Sequence, residues 1–125
     1  MMQYIQGISR YQLHVASLDD TISQDNPVRF IDAFVNSIEL ERVGFQPKVL
    51  KSEGRPSFET QLFLKIYLYG YLNGIRSSRK LEKECLRNLE LQWLTETLRP
   101  NYHSIADFRK DNSKALKQLF KLFVT

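Results

Sequence analysis

The residues of this sequence best suited to chemistry are cationic: Arg76, Ser77, Ser78, Arg79, Lys80, Lys83 and Arg87 in one run, and Arg109, Lys110, Lys114 and Lys117 in a second. At about 100° of rotation per helical residue, Arg79, Lys80, Lys83 and Arg87 fall within an arc of roughly 100°, opposite Leu81, Cys85 and Leu89. A helix starting at Ser77 or Ser78 adds free backbone amides and the positive end of its dipole beside Arg76. RSSRK therefore reads as a phosphate clamp, whose chemistry is polyanion binding and not bond making. The second run repeats the pattern: Lys110, Lys114, Lys117 and Lys121 lie within about 60° of one another on a helical wheel, opposite Ala115, Leu116, Leu119 and Phe123, with Arg109 beside them. Lys48, Lys51 and Arg55 offer a third basic contact. The competing account of both stripes is solvation, with Glu82 and Glu84 softening the first and lysine stems covering apolar surface in the second.

No catalytic or metal-ligating constellation accompanies these cations. His14 and His103 are isolated, without a carboxylate or cysteine at ligand spacing. Asp19 and Asp20 are adjacent and diverge, while Asp107 and Asp111 are better explained by helix capping. The single cysteine, Cys85, excludes an internal disulfide and a Cys-rich zinc site, and it falls on an apolar helix face as a core thiol. Trp93, Tyr67, Tyr69 and Tyr71 read as core before they read as a base-stacking platform. No cofactor, metal or small-molecule substrate is expected in this chain.

The elements that must position the cations are helices. Residues 1–24 lack a sustained period and form an N-terminal arm, held down by Leu13, Val15 and Leu18, in which Ser17-Leu18-Asp19-Asp20 marks a turn or a short helical start. Asp25-Asn26-Pro27 combines a capping side chain with proline at the first helical position, predicting a helix from Pro27 to about Leu40. Two Gly and two Pro between Gly44 and Ser57 predict a loop. A second helix from Ser57–Thr60 to Asn73 is apolar on nearly every side and belongs in the middle of the domain, with Gly74 as its left-handed cap. A third extends from Ser77 or Ser78 to about Asn88, and a fourth from Leu89 to Thr97. Ser104-Ile105-Ala106-Asp107 resembles a capping box that starts a fifth, with a break near Asp111-Asn112 before a last helical stretch. The expected fold is all-α, a compact orthogonal bundle of about five to six helices with a helix-turn-helix-like pair. Residues 25–125 form its helical domain.

Composition bounds the reading. With 125 residues, 42% hydrophobic and 26% charged, the chain suits one globular domain. A formal net charge of +4 favours polyanionic partners. No signal peptide is evident, and the apolar window Leu62 to Leu72 is short of the roughly 20 residues that span a bilayer, so a cytoplasmic protein is expected. The apolar ridge Phe123-Val124-Thr125 ends mid-pattern, which suggests a fragment of a longer protein.

Three segments, SLDDTISQDNPVRFIDAFV (Ser17 to Val35), GRPSFETQLFLKIYLYGYLNGIRSSRKLEKECLRNLELQWL (Gly54 to Leu94) and SIADFRKDN (Ser104 to Asn112), together resemble the N-terminal domain of bacterial insertion-sequence transposases of the DDE, RNase H-like class. Members of that family commonly show Asp-Pro where this chain has Glu59-Thr60, which weakens the start of the second helix. The resemblance implies a DNA-binding domain that recognises transposon terminal repeats on double-stranded DNA, with a homodimer on paired ends as a further expectation. It also implies that the catalytic acids and their divalent metals belong downstream, so this chain by itself is not an enzyme. Two alternatives stay open: a dimerisation or partner-docking module using Phe120 to Val124, and a solo regulator that blocks transposition.

Overall fold

Asn26 and Pro27 open the first long helix as their chemistry dictates. The Asn26 side chain accepts from the Val28 amide at 3.0 Å, and proline occupies the first turn. In the computed structural model, which describes residues 3–46 and 58–124, this helix is α1, Pro27–Ser37. It is followed by α2 (Leu40–Val43), α3 (Thr60–Asn73), α4 (Ser78–Arg87), α5 (Leu89–Thr95), α6 (Tyr102–Asp111) and α7 (Ser113–Val124). A 3-10 turn at Leu18–Thr21 precedes them, and no strand occurs among the described residues. The fold is all-α, with seven helices among the described residues where the sequence pattern predicts five to six. The extra one arises because Ile38 turns to extended backbone and ends α1, so that Leu40–Val43 forms its own turn, closed by Gly44 at φ 108°.

α3 is the centre. Leu62, Phe63, Leu64, Ile66, Tyr67, Leu68, Tyr69 and Gly70 are all buried, and α1 and α5 pack against it. Its polar atoms are satisfied in place: Lys65 pairs with Asp32 of α1 at 2.8 Å, the Tyr67 hydroxyl donates to the Ile105 carbonyl, and the Tyr69 hydroxyl donates to Glu90 at 3.1 Å while accepting from Asn88 at 2.9 Å. Burial pushes the Tyr67 and Tyr69 hydroxyls up to about 12, so both stay protonated donors. The expected central run to Leu72 is shorter in fact, since Tyr71 and Leu72 in the last turn are half exposed. α3 starts at Thr60 with Glu59 making no side-chain cap bond.

The Ser-x-x-Asp pattern occurs twice and caps a helix once. Ser17 Oγ accepts from the Asp20 amide at 3.2 Å and Asp20 Oδ2 accepts from the Ser17 amide at 3.0 Å, a complete capping box. At Ser104 the expectation fails, because Asn101 is the cap: its side chain accepts from the Ser104 amide at 2.9 Å and α6 starts two residues earlier. The N-terminal arm is fastened differently from the expectation too. Leu13 and Val15 are exposed and only Leu18 of the three expected anchors is partly buried, and the rest of the hold comes from buried Ile22 and from Arg29. That guanidinium pairs with Asp19 at 2.8 Å, donates to the Ile22 carbonyl at 2.7 Å and lies 5.0 Å from the Trp93 ring centroid. Trp93 Nε1 donates to the same Asp19 carboxylate at 2.9 Å, and these contacts hold the Asp19 carboxyl below its usual range.

Candidate nucleic-acid interface

The helix-turn-helix-like pair expected from the sequence would be α3 and α4, which a short turn joins in the chain, but α4 packs on α6 and α5 and not chiefly on α3. α3 ends at Gly74, whose φ of 70° suits glycine, and its amide bonds the Gly70 carbonyl. Ile75 and Arg76 then lead to Ser77, whose Oγ accepts from the Lys80 amide at 3.3 Å and leaves its own O–H as a donor. α4 buries Leu81 and Cys85 and exposes Arg79, Lys80, Lys83 and Arg87, so its apolar and cationic sides are separated, although Leu89, which the wheel puts with Leu81 and Cys85, is exposed at the start of α5. Arg76 and Ser77 are exposed at its amino end and Ser78 is half-buried.

The exposed cations of α4 differ in their surroundings. Arg76, Lys80 and Lys83 make no ion pair with another described residue. Arg87 is held by Glu84, with Nη2 at 2.6 Å and Nε at 2.8 Å from Oε1. The Asn88 side-chain amide and then Arg87 hold the Glu84 carboxyl below the usual carboxylate range, which favours the charged form that pairs with Arg87. Arg79 lies on a ring: its guanidinium carbon is 4.3 Å from the Tyr102 ring centroid. Asn88 closes α4 with its backbone and caps α5 with its side chain, accepting from the Leu91 amide at 3.1 Å. The end of the stripe is therefore locked to the Tyr69–Glu90 network in the core.

The second stripe is divided. Asn112 leaves helical geometry at φ −129°, so Lys110 belongs to α6 and Lys114 and Lys117 to α7, and a single continuous wheel does not describe them. All three are exposed and make no ion pair with another described residue. Ala115, Leu116 and Leu119 are buried on the other side of α7, and Phe123 is half-buried between Phe30 and Phe34. Arg109 stands over the Tyr67 ring, 5.6 Å from its centroid. Tyr102 and Arg109 are two turns apart on one side of α6, about 10 Å along its axis, and α6 packs against both α4 and α7. Lys48, Lys51 and Arg55 lie outside the described residues.

Tyr102 and Asn88 shape this surface without having been singled out by the sequence pattern, while Glu82 and Glu84, expected only to soften the stripe, bond the Tyr102 amide and Arg87. The Tyr102 contact joins residues 23 positions apart, and nothing local announces it. His103 packs on Tyr102 with centroids 4.1 Å apart, and among the described residues no three His, Cys, Asp or Glu stand together to hold a metal ion. Cys85 is buried in the core and its thiol is pushed up to about 11 by burial.

The family described as Transposase domain (DUF772) matches residues 16–111, from the Ser17 capping box to the end of α6. The chain belongs to that family. The match takes in α3, α4 and the Arg79–Tyr102 contact, so the helix pair and its cationic face lie inside the transposase domain, while Lys114 and Lys117 on α7 lie beyond the matched segment. No characterised protein and no solved structure matches the chain. No helix of the described residues is long and apolar enough to cross a membrane.

Proposed function

We propose that this transposase domain binds double-stranded DNA, recognising the terminal repeats of its transposon for DNA transposition. The observation that carries the reading is the exposed cationic side of α4, which begins at a capped helix amino terminus and sits on a helix whose other side is locked into the core. On this reading Arg76, Ser77, Ser78, Lys80 and Lys83 hold phosphate, Arg79 faces the DNA from the first turn of α4, and Arg109, Lys110, Lys114 and Lys117 extend the contact. Arg87 contributes less, because Glu84 already neutralises it. The chain binds and positions; strand cutting and its divalent metals are assigned to the RNase H-like part of a full transposase.

The test is retention of duplex DNA by this chain over a salt series. At about 0.9 per phosphate contact, Lys80→Ala with Lys83→Ala should flatten the plot of log affinity against log salt by about 1.8. Adding Arg87→Ala should change the slope little further. An unchanged slope in the folded double variant would overturn the reading.

A second reading, a dimerisation or docking module, is favoured by one feature. Phe30, Leu122 and Val124 are half exposed or more beside the Phe34–Phe123 contact. Protein-only association in sedimentation, without DNA retention, would favour it.

A further inference from the structure

Arg79 is held as no other cation of the α4 stripe is. Its guanidinium lies on the Tyr102 ring, and Nη2 is 3.5 Å from the Tyr102 hydroxyl. Tyr102 is itself fixed: its amide donates to Glu82 Oε2 at 2.8 Å and its ring packs on His103. A guanidinium seated on a held ring has lost much of its rotamer freedom, while its planar fork of donors stays available along its edge. Such a fork matches two acceptors side by side. Arg79 is also the second residue of α4, and the first turn of a helix laid in the major groove is the part that meets base edges.

The neighbouring acid separates base from phosphate. Glu82, one turn along from Arg79, is pinned by the Tyr102 amide, so a carboxylate stands close to the same corner. A phosphate seated on Arg79 would meet that negative charge. The O6 and N7 edge of guanine carries no net charge and presents the two acceptors the fork needs. Lys80 and Lys83 lack a planar fork, Arg87 is engaged by Glu84, and Arg109 sits more loosely over its ring, at 5.6 Å.

Building on the DNA-binding reading above, we infer that Arg79 is the base-reading residue of this interface, gripping a guanine in the major groove, and that Tyr102 is the residue that positions it. Lys80 and Lys83 then hold phosphate and set affinity without setting preference.

The experiment selects duplexes from a random-sequence pool with the full 125-residue chain, then measures binding of the enriched duplex with each guanine replaced in turn by 7-deazaguanine, which lacks the N7 acceptor. One such replacement should weaken the unaltered chain about 5- to 150-fold, the range of a good bidentate pair. Arg79→Lys keeps the charge and loses the fork. It should keep its affinity for unselected DNA and its salt slope, while its preference for the enriched duplex and its sensitivity to that 7-deazaguanine should fall together. Tyr102→Leu should lose preference in the same way and Tyr102→Phe should retain it, whereas a merely structural role would lower all binding alike. Sensitivity to 7-deazaguanine that persists undiminished in Arg79→Lys would overturn the inference. Salt-dependent binding with no sequence enriched would overturn it too and leave the DNA-binding reading standing. Retention of no duplex at all would overturn both.

Discussion

Gly70 is where α3 and the connection to α4 come closest, and Gly70→Ala tests how α4 is held. Within a helix, alanine is favoured over glycine by about 0.8–1.0 kcal/mol. The packing opposes that gain: a Cβ at position 70 would stand 2.6 Å from the Ile75 carbonyl oxygen and 3.1 Å from Leu81 Cδ2. The leucine can rotate, but the carbonyl belongs to a turn whose Ile75 amide is bonded to the Gly70 carbonyl at 2.8 Å. Relief therefore requires the turn and α4 to move together. Overpacking costs about 1–3 kcal/mol, and a backbone contact this short belongs in the upper half of that range. The net loss is then about 1–2 kcal/mol after the helix propensity is returned. At about 4 °C per kcal/mol for a domain of this size, Gly70→Ala should melt about 4–8 °C lower. Gly74→Ala is the control, because Gly74 has φ +70° with nothing within 4 Å of a Cβ. It should cost about 1 kcal/mol through backbone strain alone and leave α4 where it is. Thermal and urea unfolding measure both, and DNA retention below both transitions should weaken in Gly70→Ala only. A melting point at or above that of the unaltered chain would mean that helix propensity had won over space and that α4 is not held through Gly70.

Two further outcomes follow from the core. Leu68 is fully buried in the central helix, so Leu68→Ala should cost about 2–5 kcal/mol in chemical denaturation, and a loss below about 0.5 kcal/mol would show that α3 is not the centre. With the Cys85 thiol at about 11, the folded chain at pH 8 holds roughly one thiolate per thousand molecules against about one in four when unfolded, so alkylation should wait for unfolding. The sign is that of a group whose protonated form the fold prefers: its contribution to stability is complete below the unfolded value near 8.5 and disappears as pH rises through 11. Rapid alkylation of the native chain at pH 8 would show Cys85 to be accessible.

Much of the fold could be read locally. Asn26-Pro27 starting α1, Gly74 ending α3, the Asp111-Asn112 break and the separation of Leu81 and Cys85 from the cations of α4 are short-range effects of capping, backbone freedom and helical period. Where two local signals competed, the sequence pattern misled. Ser104 had an acid three residues on, yet Asn101 beside Pro100 took the cap; Leu13 and Val15 were apolar, yet Ile22 and an Arg29–Asp19–Trp93 cluster held the arm.

By itself the sequence determined which side chains share a face, because helical period and caps depend on neighbours within a few residues. It therefore established the all-α class, the buried helix and the α4 stripe. What each cation meets across the fold depends on how the helices pack. Arg79 is laid on a ring 23 positions away, and Arg109 over a tyrosine of the central helix. Asn88 ties the end of the stripe to Tyr69 and so to Glu90 on the next helix. Those contacts join residues far apart in the chain, brought together when the apolar faces of the helices are buried against one another, and no local period encodes such a pairing.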